Sequence, residues 1–168
     1  GLFNHAAETV AAWGRGNGFA ALGLIETLSA LPHGHPGRAQ VLEIYRRLMA
    51  AMKTHQAPGG MWREVDDVPG GYREQSVTAQ TVTAMARGIR RGWLDASYRP
   101  VVQRGWRALL AHVGMDGTIV DVCFNTTAGA TRRYYLDRRA VSGADARRPA
   151  IARAGAAPGS RSSRASLA

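Results

Sequence analysis

The chain has 168 residues, 45% of them hydrophobic, which suffices for one globular domain with its own core. Its formal net charge is +10, but residues 147–168 carry five arginines and no acid, half of that total. No apolar run nears the roughly 20 residues of a membrane span, Cys123 is the single cysteine, and no Cys/His cluster has zinc spacing. Residues 1–146 hold 17 basic against 12 acidic side chains, and no recognised motif accompanies the charge, so no nucleic-acid, membrane, metal or cofactor partner is expected.

Leu2-Phe3-Asn4-His5 alternates apolar and polar residues, and a loop leads to Trp13-Gly14-Arg15-Gly16-Asn17-Gly18-Phe19. Three glycines at the mouth of an apolar helical segment bring backbone close to something, a ligand or another segment. Trp13 and Arg15 read as a stacking platform and an anion clamp, since guanidinium grips carboxylate bidentately. The plainer reading is a tight turn with a core tryptophan and a solvated arginine. The glycine spacing is not a dinucleotide fingerprint, because Phe19 stands where the third glycine belongs.

Ala21, Leu24, Leu28 and Leu31 recur at helical steps and predict a helix over 19–31, broken by 32–37. Val41, Tyr45, Leu48 and Met52 predict a second over 38–55, stopped by Pro58-Gly59-Gly60. Residues 61–65 read as a brief extended piece and 66–71 as loop, with Asp66 and Asp67 solvated. A third helix is predicted over 75–93, with Val82, Met85, Ile89 and Trp93 as its stripe. Glu74 and Ser76 at its start read equally as a capping pair and as cavity lining. A fourth helix is predicted over 98–113 with a core face of Val102, Trp106, Leu109 and Val113, and 118–122 is again extended. From Asn125 the pattern is lost. Arg132-Arg133 beside Tyr134-Tyr135 reads either as a pair closing over an anionic, sugar-like ligand or as a solvated edge. After Arg147 the chain is almost free of large apolar residues, and 147–168 is expected to be a disordered Arg/Ala/Ser-rich tail.

Stacking the pieces exposes a repeat. Gly1-Leu2-Phe3-Asn4-His5, Gly60-Met61-Trp62-Arg63-Glu64 and Gly117-Thr118-Ile119-Val120-Asp121 share one pattern at spacings of 59 and 57 residues. His55 and His112 fall at matching helix ends. Helical hairpins at such a period define a repeat architecture in which each unit buries its apolar face on its neighbours. The pattern makes His5, Glu64 and Asp121 equivalent, at hairpin ends on one rim, a natural place for a site. By itself His5 reads as structural, and solvation is the plainer account of Glu64 and Asp121.

The motif from Trp13 to Gly18, Gly60-Met61-Trp62, Glu74-Gln75-Ser76, the stretch Arg87-Gly88-Ile89-Arg90-Arg91-Gly92-Trp93-Leu94, and Tyr134-Tyr135-Leu136 together resemble the unsaturated rhamnogalacturonyl hydrolases. These form glycoside hydrolase family 105, related to the unsaturated glucuronyl hydrolases of family 88. The resemblance covers about residues 1–146 and implies an all-α fold, part of an (α/α)6 toroid of six helical hairpins. About three of those hairpins, the C-terminal part, are expected here, with a shifted frame or damaged gene end near Arg147.

The resemblance further implies a glycoside hydrolase that hydrates the C4–C5 double bond of a terminal unsaturated galacturonyl residue from pectin or rhamnogalacturonan. Its general acid/base aspartate is expected before residue 1, leaving this fragment inactive alone, with half a toroid's exposed faces favouring self-association. Trp13 is then expected to stack on the sugar, Arg15 to pair with the uronate carboxylate, and His5 to contact ring or water. Glu74 is expected to line the cavity and Arg132 or Arg133 to add a second carboxylate contact, with Arg133 the residue singled out. No cofactor is expected, the compartment is read as cytoplasmic, and the oligomeric state is open. The rival function is a non-catalytic helical-repeat module that binds carbohydrate or another partner.

Overall fold

The computed structural model describes residues 1–124 and 126–143, so the tail reading for 147–168 lies outside the described residues. Two helical hairpins form its body: α1 (Gly14–Ala30) with α2 (Arg38–His55), and α3 (Gln75–Arg90) with α4 (Arg99–Ala111), the latter preceded by a 3-10 turn at Ala96–Tyr98. The second hairpin is entered through a short antiparallel strand pair, and another strand pair follows it. β1 (Trp62–Arg63) pairs with β2 (Arg73–Glu74), which runs straight into α3. β3 (Ile119–Cys123) pairs across an irregular register with β4 (Ala140–Gly143), and the short helix α5 (Arg132–Leu136) lies between them.

α3 is the axis of the packing, flanked by α1 on one side and α4 on the other. Its first eleven residues, Gln75 to Met85, are all buried, including Thr78, Gln80 and Thr81. The main core gathers Ile25, Leu28, Tyr45, Leu48, Met49, Met52, Trp62, Val82 and Met85 from α1, α2, α3 and β1. Burying side chains of this size contributes roughly 1.5–3 kcal/mol each. Two of the large polar side chains inside are matched: the Tyr45 hydroxyl donates to the Ala84 carbonyl at 2.8 Å, and the Trp62 indole N–H to the Met52 carbonyl at 2.6 Å.

Two expectations change. α1 starts at Gly14, five residues before the predicted start, so the glycines lie inside the helix rather than in front of it. A Cβ on Gly14 would stand 2.2 Å from the Arg63 carbonyl oxygen, and one on Gly18 would stand 2.0 Å from Gln80 Oε1. The backbone's close neighbours there are β1 and α3 of the chain itself. On α4 the core face is turned from the predicted one, burying Val101, Gly105, Ala108 and Leu109 and leaving Trp106, Leu110 and Val113 exposed. Gly105 selects this face. It lets α4 cross closely over Trp62 and Val82, where a Cβ would meet Val82 Cγ2 at 2.6 Å.

The repeat reappears as geometry. Gly60 and Gly117 both turn with positive φ, 96° and 82°, and each N–H closes a tight turn onto a carbonyl three residues back. His55 ends α2 and His112 caps α4. Two hairpins and the strand pair that follows the third glycine are described, where three hairpins were expected.

Candidate sugar-binding site on the hairpin rim

A small second core lies under the rim, where Ala11, Trp13, Val65, Cys123 and Tyr135 pack together. Trp13 is the residue just before α1 and forms an isolated bridge with Val65. Its indole N–H donates to Glu64 Oε1 at 3.0 Å, which fixes the ring plane. The His5 ring lies 4.4 Å from the Trp13 ring, centroid to centroid, and His5 Nδ1 meets the Tyr135 hydroxyl at 2.8 Å. Tyr135 is itself tied down, because the Gly129 N–H donates to its hydroxyl at 2.9 Å.

His5 and Trp13 share an open pocket of about 350 Å³ with Phe3, Asn4, Gly16, Phe19 and Ala20. Gly16 keeps the floor open, since a Cβ there would crowd the Trp13 ring at 3.0 Å. Phe19 is 52% exposed at the edge of this pocket. The lining is aromatic and amide-bearing and includes no carboxylate among the described residues. Partial burial holds the His5 imidazole below its ordinary pKa, favouring the neutral ring that both donates and accepts hydrogen bonds.

Behind the pocket lies a buried polar network. Arg15 donates through Nε to Ser76 Oγ at 2.8 Å and through Nη2 to Glu74 Oε1 at 3.2 Å and the Cys123 carbonyl at 2.5 Å. Glu74 also caps α3 by accepting from Val77 N–H, and accepts from Cys123 N–H at 2.9 Å. One ion pair thereby ties α1, β2, α3 and β3 together. Cys123 Sγ–H donates to Glu64 Oε1 at 3.1 Å.

Glu64 Oε2 and both carboxyl oxygens of Asp66 are buried without a hydrogen-bond partner among the described residues. Burial, reinforced by the charge of Glu74, pushes the Glu64 carboxyl up to about 8. Burial, with Asp67 beside it, raises Asp66 well above the usual carboxylate range. The same burial pushes the Cys123 thiol up to about 12.

The five residues singled out in the sequence therefore fall in three places. His5 and Trp13 line the pocket. Arg15 and Glu74 face each other inside the network, where Arg15 meets Glu74's carboxylate and Glu74 caps α3 through the Val77 N–H. Arg133 projects from α5 with a side chain 82% exposed and pairs with Asp137 at 2.7 Å, on the solvated edge. Asp66 is buried rather than solvated, while Asp67 is exposed and holds Arg132 at 3.1 Å. Glu64 and Asp121, equivalent in the repeat, do not converge: Glu64 is buried, and Asp121 lines a different cleft. Phe19 lines the pocket without having been given a role in the sequence, and Tyr135, read there with its neighbours as closing over a ligand, instead supports His5 from behind.

Helical hairpins entered through glycine turns and strand pairs, with an aromatic pocket at the rim, define a class, and comparison with known proteins names it. Residues 3–146 match glycosyl hydrolase family 88, and the chain belongs to that family. It is 34% identical over 112 residues to an unsaturated 3S-rhamnoglycuronyl hydrolase of an Alteromonas species, covering 64% of this chain and 27% of that protein. It is 31% identical over 123 residues to the unsaturated rhamnogalacturonyl hydrolase YesR of Bacillus subtilis, covering 73% of this chain and 34% of that protein. The chain thus spans about a third or less of these relatives' length.

Among solved structures, a possible member of family GH105 from Salmonella enterica superposes with a TM-score of 0.80 at 23% identity. The match covers 86% of this chain and 38% of that one. The fold is all-α, that of part of an (α/α)6 toroid. Among the described residues no helix is long and apolar enough to cross a membrane.

Proposed function

We propose that this chain supplies the sugar-stacking wall of an unsaturated uronyl hydrolase acting on galacturonyl-ended oligosaccharides from rhamnogalacturonan or pectin. The observation that carries the reading is the pocket of about 350 Å³ lined by the exposed Phe19 ring, the largely covered Trp13 ring and the polar edge of His5. Aromatic faces beside a neutral imidazole suit a sugar ring, whose C–H surfaces stack while its hydroxyls seek hydrogen bonds.

In this reading Trp13 stacks on the unsaturated ring and His5, oriented by Tyr135, contacts a ring hydroxyl or the attacking water. The reaction adds a proton to one alkene carbon and water oxygen to its neighbour; the resulting product releases the sugar. One carboxyl performs both proton transfers, giving a proton to the alkene and receiving one from water. None of the pocket-lining residues carries a carboxyl group, so that aspartate comes from outside these residues, and the chain alone binds without turning over. Arg15 and Glu74 act as scaffold, holding the start of α1 against α3 and β3.

Titration of the full chain with an unsaturated galacturonyl-rhamnose disaccharide tests this, with alkene absorbance followed alongside. Binding that Trp13→Ala abolishes, with the absorbance steady, is the expected result. No binding to the unaltered chain overturns the reading. Binding that Trp13→Ala leaves intact favours the rival, a carbohydrate-binding module with its site elsewhere.

A further inference from the structure

The β1–β2 hairpin has two chemically distinct faces. Trp62 and Glu74 are register partners and both point into the core. Arg63 and Arg73 are the other register pair, so their side chains leave the opposite face side by side. Like charges directly opposite on an antiparallel pair are destabilising. Among the described residues neither arginine has a carboxylate within ion-pair distance, and Arg63 makes only a long bond to the His55 carbonyl, 3.4 Å.

The neighbouring acids do not relieve the pair. Asp121 sits in the left-handed region, φ 58°, unusual for a residue with a side chain, and its carboxylate is turned to His112 Nε2 at 3.5 Å. Asp66 is buried on the inner side, where desolvation favours its neutral acid. Two guanidinium groups are thus left facing an open cleft of about 340 Å³, walled by Tyr72 and Pro69 and closed by His112 and Asp121. The volume exceeds what a bare oxyanion fills and falls within the range of small-ligand pockets. Paired guanidinium forks match the planar or tetrahedral oxygens of a carboxylate or sulfate.

We propose that this cleft binds the carboxylate or sulfate group of an acidic saccharide, with Arg63 and Arg73 as its clamp. The site is separate from the Trp13 pocket: the two share no lining residue. An anion held between the two arginines would turn the like-charge repulsion across the strand pair into attraction.

Calorimetric titration of the full chain with saturated trigalacturonate, neutral galactotriose and sodium sulfate tests the assignment. Trigalacturonate should bind, galactotriose should not, and Arg73→Gln should weaken binding about tenfold, the worth of a charged hydrogen bond. The same substitution should raise the thermal midpoint of the ligand-free chain, since it removes the repulsion. Circular dichroism checks the fold, and Arg63→Gln repeats the test should Arg73→Gln fold poorly.

Trigalacturonate affinity unchanged in both variants, or no binding to the unaltered chain, overturns the proposal. Sulfate binding as tightly as the saccharide reduces the cleft to a bare-anion site and overturns the saccharide assignment. Loss of binding in Trp13→Ala but not in the arginine variants also overturns it, while leaving the Trp13 pocket reading standing.

Discussion

The Trp13 indole N–H and the Cys123 thiol both donate to one oxygen of Glu64, leaving its other oxygen buried and unpartnered. That arrangement suits a neutral carboxylic acid, with its proton on the second oxygen. Glu64 therefore holds the pocket's tryptophan as an acid rather than as an ion.

The folded-state pKa of Glu64, about 8, lies above its ordinary value of 4.5, so the folded protein keeps a proton that the unfolded chain releases. Stability from this group is full below about 4.5, declines as pH rises towards 8 and levels off beyond it. One pKa unit corresponds to about 1.4 kcal/mol, so the decline reaches several kcal/mol. Urea unfolding at pH 5, 7 and 9 should show that slope, and Glu64→Gln, which imitates the neutral acid, should flatten it. Asp66 is shifted in the same direction, so some slope should remain. Equal slopes in both proteins would mean that Glu64 is already ionised when folded.

Glycines in α1 and α4 divide into those that touch something and those that do not. Gly105→Ala places a methyl 2.6 Å from Val82 Cγ2 and should cost about 1–3 kcal/mol. Gly23, inside α1 with nothing within 4 Å of its added Cβ, should instead gain about 0.5–1 kcal/mol on becoming alanine. Chemical denaturation of the two variants reads both signs, and a shared sign would contradict the α4 crossing over β1 and α3.

Tyr135 offers a narrower test. Its hydroxyl joins His5 to the Gly129 backbone, so Tyr135→Phe should cost about 0.5–1.5 kcal/mol and free the His5 ring. The imidazole, held below its ordinary pKa by burial, should then titrate closer to that of an exposed histidine. Proton NMR of the His5 ring through pH 5 to 8 follows this; an unmoved midpoint would remove Tyr135 from the pocket's support.

Trp106 and Leu110 stand exposed on α4, 43% and 55%, with Val113 continuing the row. Such a row favours association with another apolar surface. Sedimentation of the isolated chain should show self-association that increases with concentration, and Trp106→Lys together with Leu110→Glu should reduce it. Equal behaviour of the variant would place the sticky surface elsewhere.

Where punctuation and periodicity agree, the sequence is a good guide. α2 occupies the predicted residues because Gly37 and Pro58 bracket a clean apolar stripe. Gly14 and Gly18 of α1 look like breakers and hide its first turn, yet β1 and α3 press against them and leave room for nothing larger. The strands β1 and β2, two residues each, are too short for alternation to announce a pair.

The buried acids are instructive, because a signal existed. Glu64 lies two residues from Trp62, and alternation places both on the inner face, with Arg63 between them facing out. Charge argued for solvation and outweighed that pattern in the reading. Arg15 was legible as an anion partner, but its anion belongs to the chain. No spacing rule reveals that Glu74, 59 residues on, is folded against it.

Gly60 and Gly117 make the same turn, yet what hangs beyond each differs. The first returns after residues 64–72, and the second after residues 124–139 with α5 carried inside the excursion. Anchorage and ornament are thus decoupled. A rim of this construction accepts new side chains, or whole new segments, between fixed footings without asking the helical wall to move. The Arg63–Arg73 face and the Tyr135 helix are thus different furnishings of two like sockets.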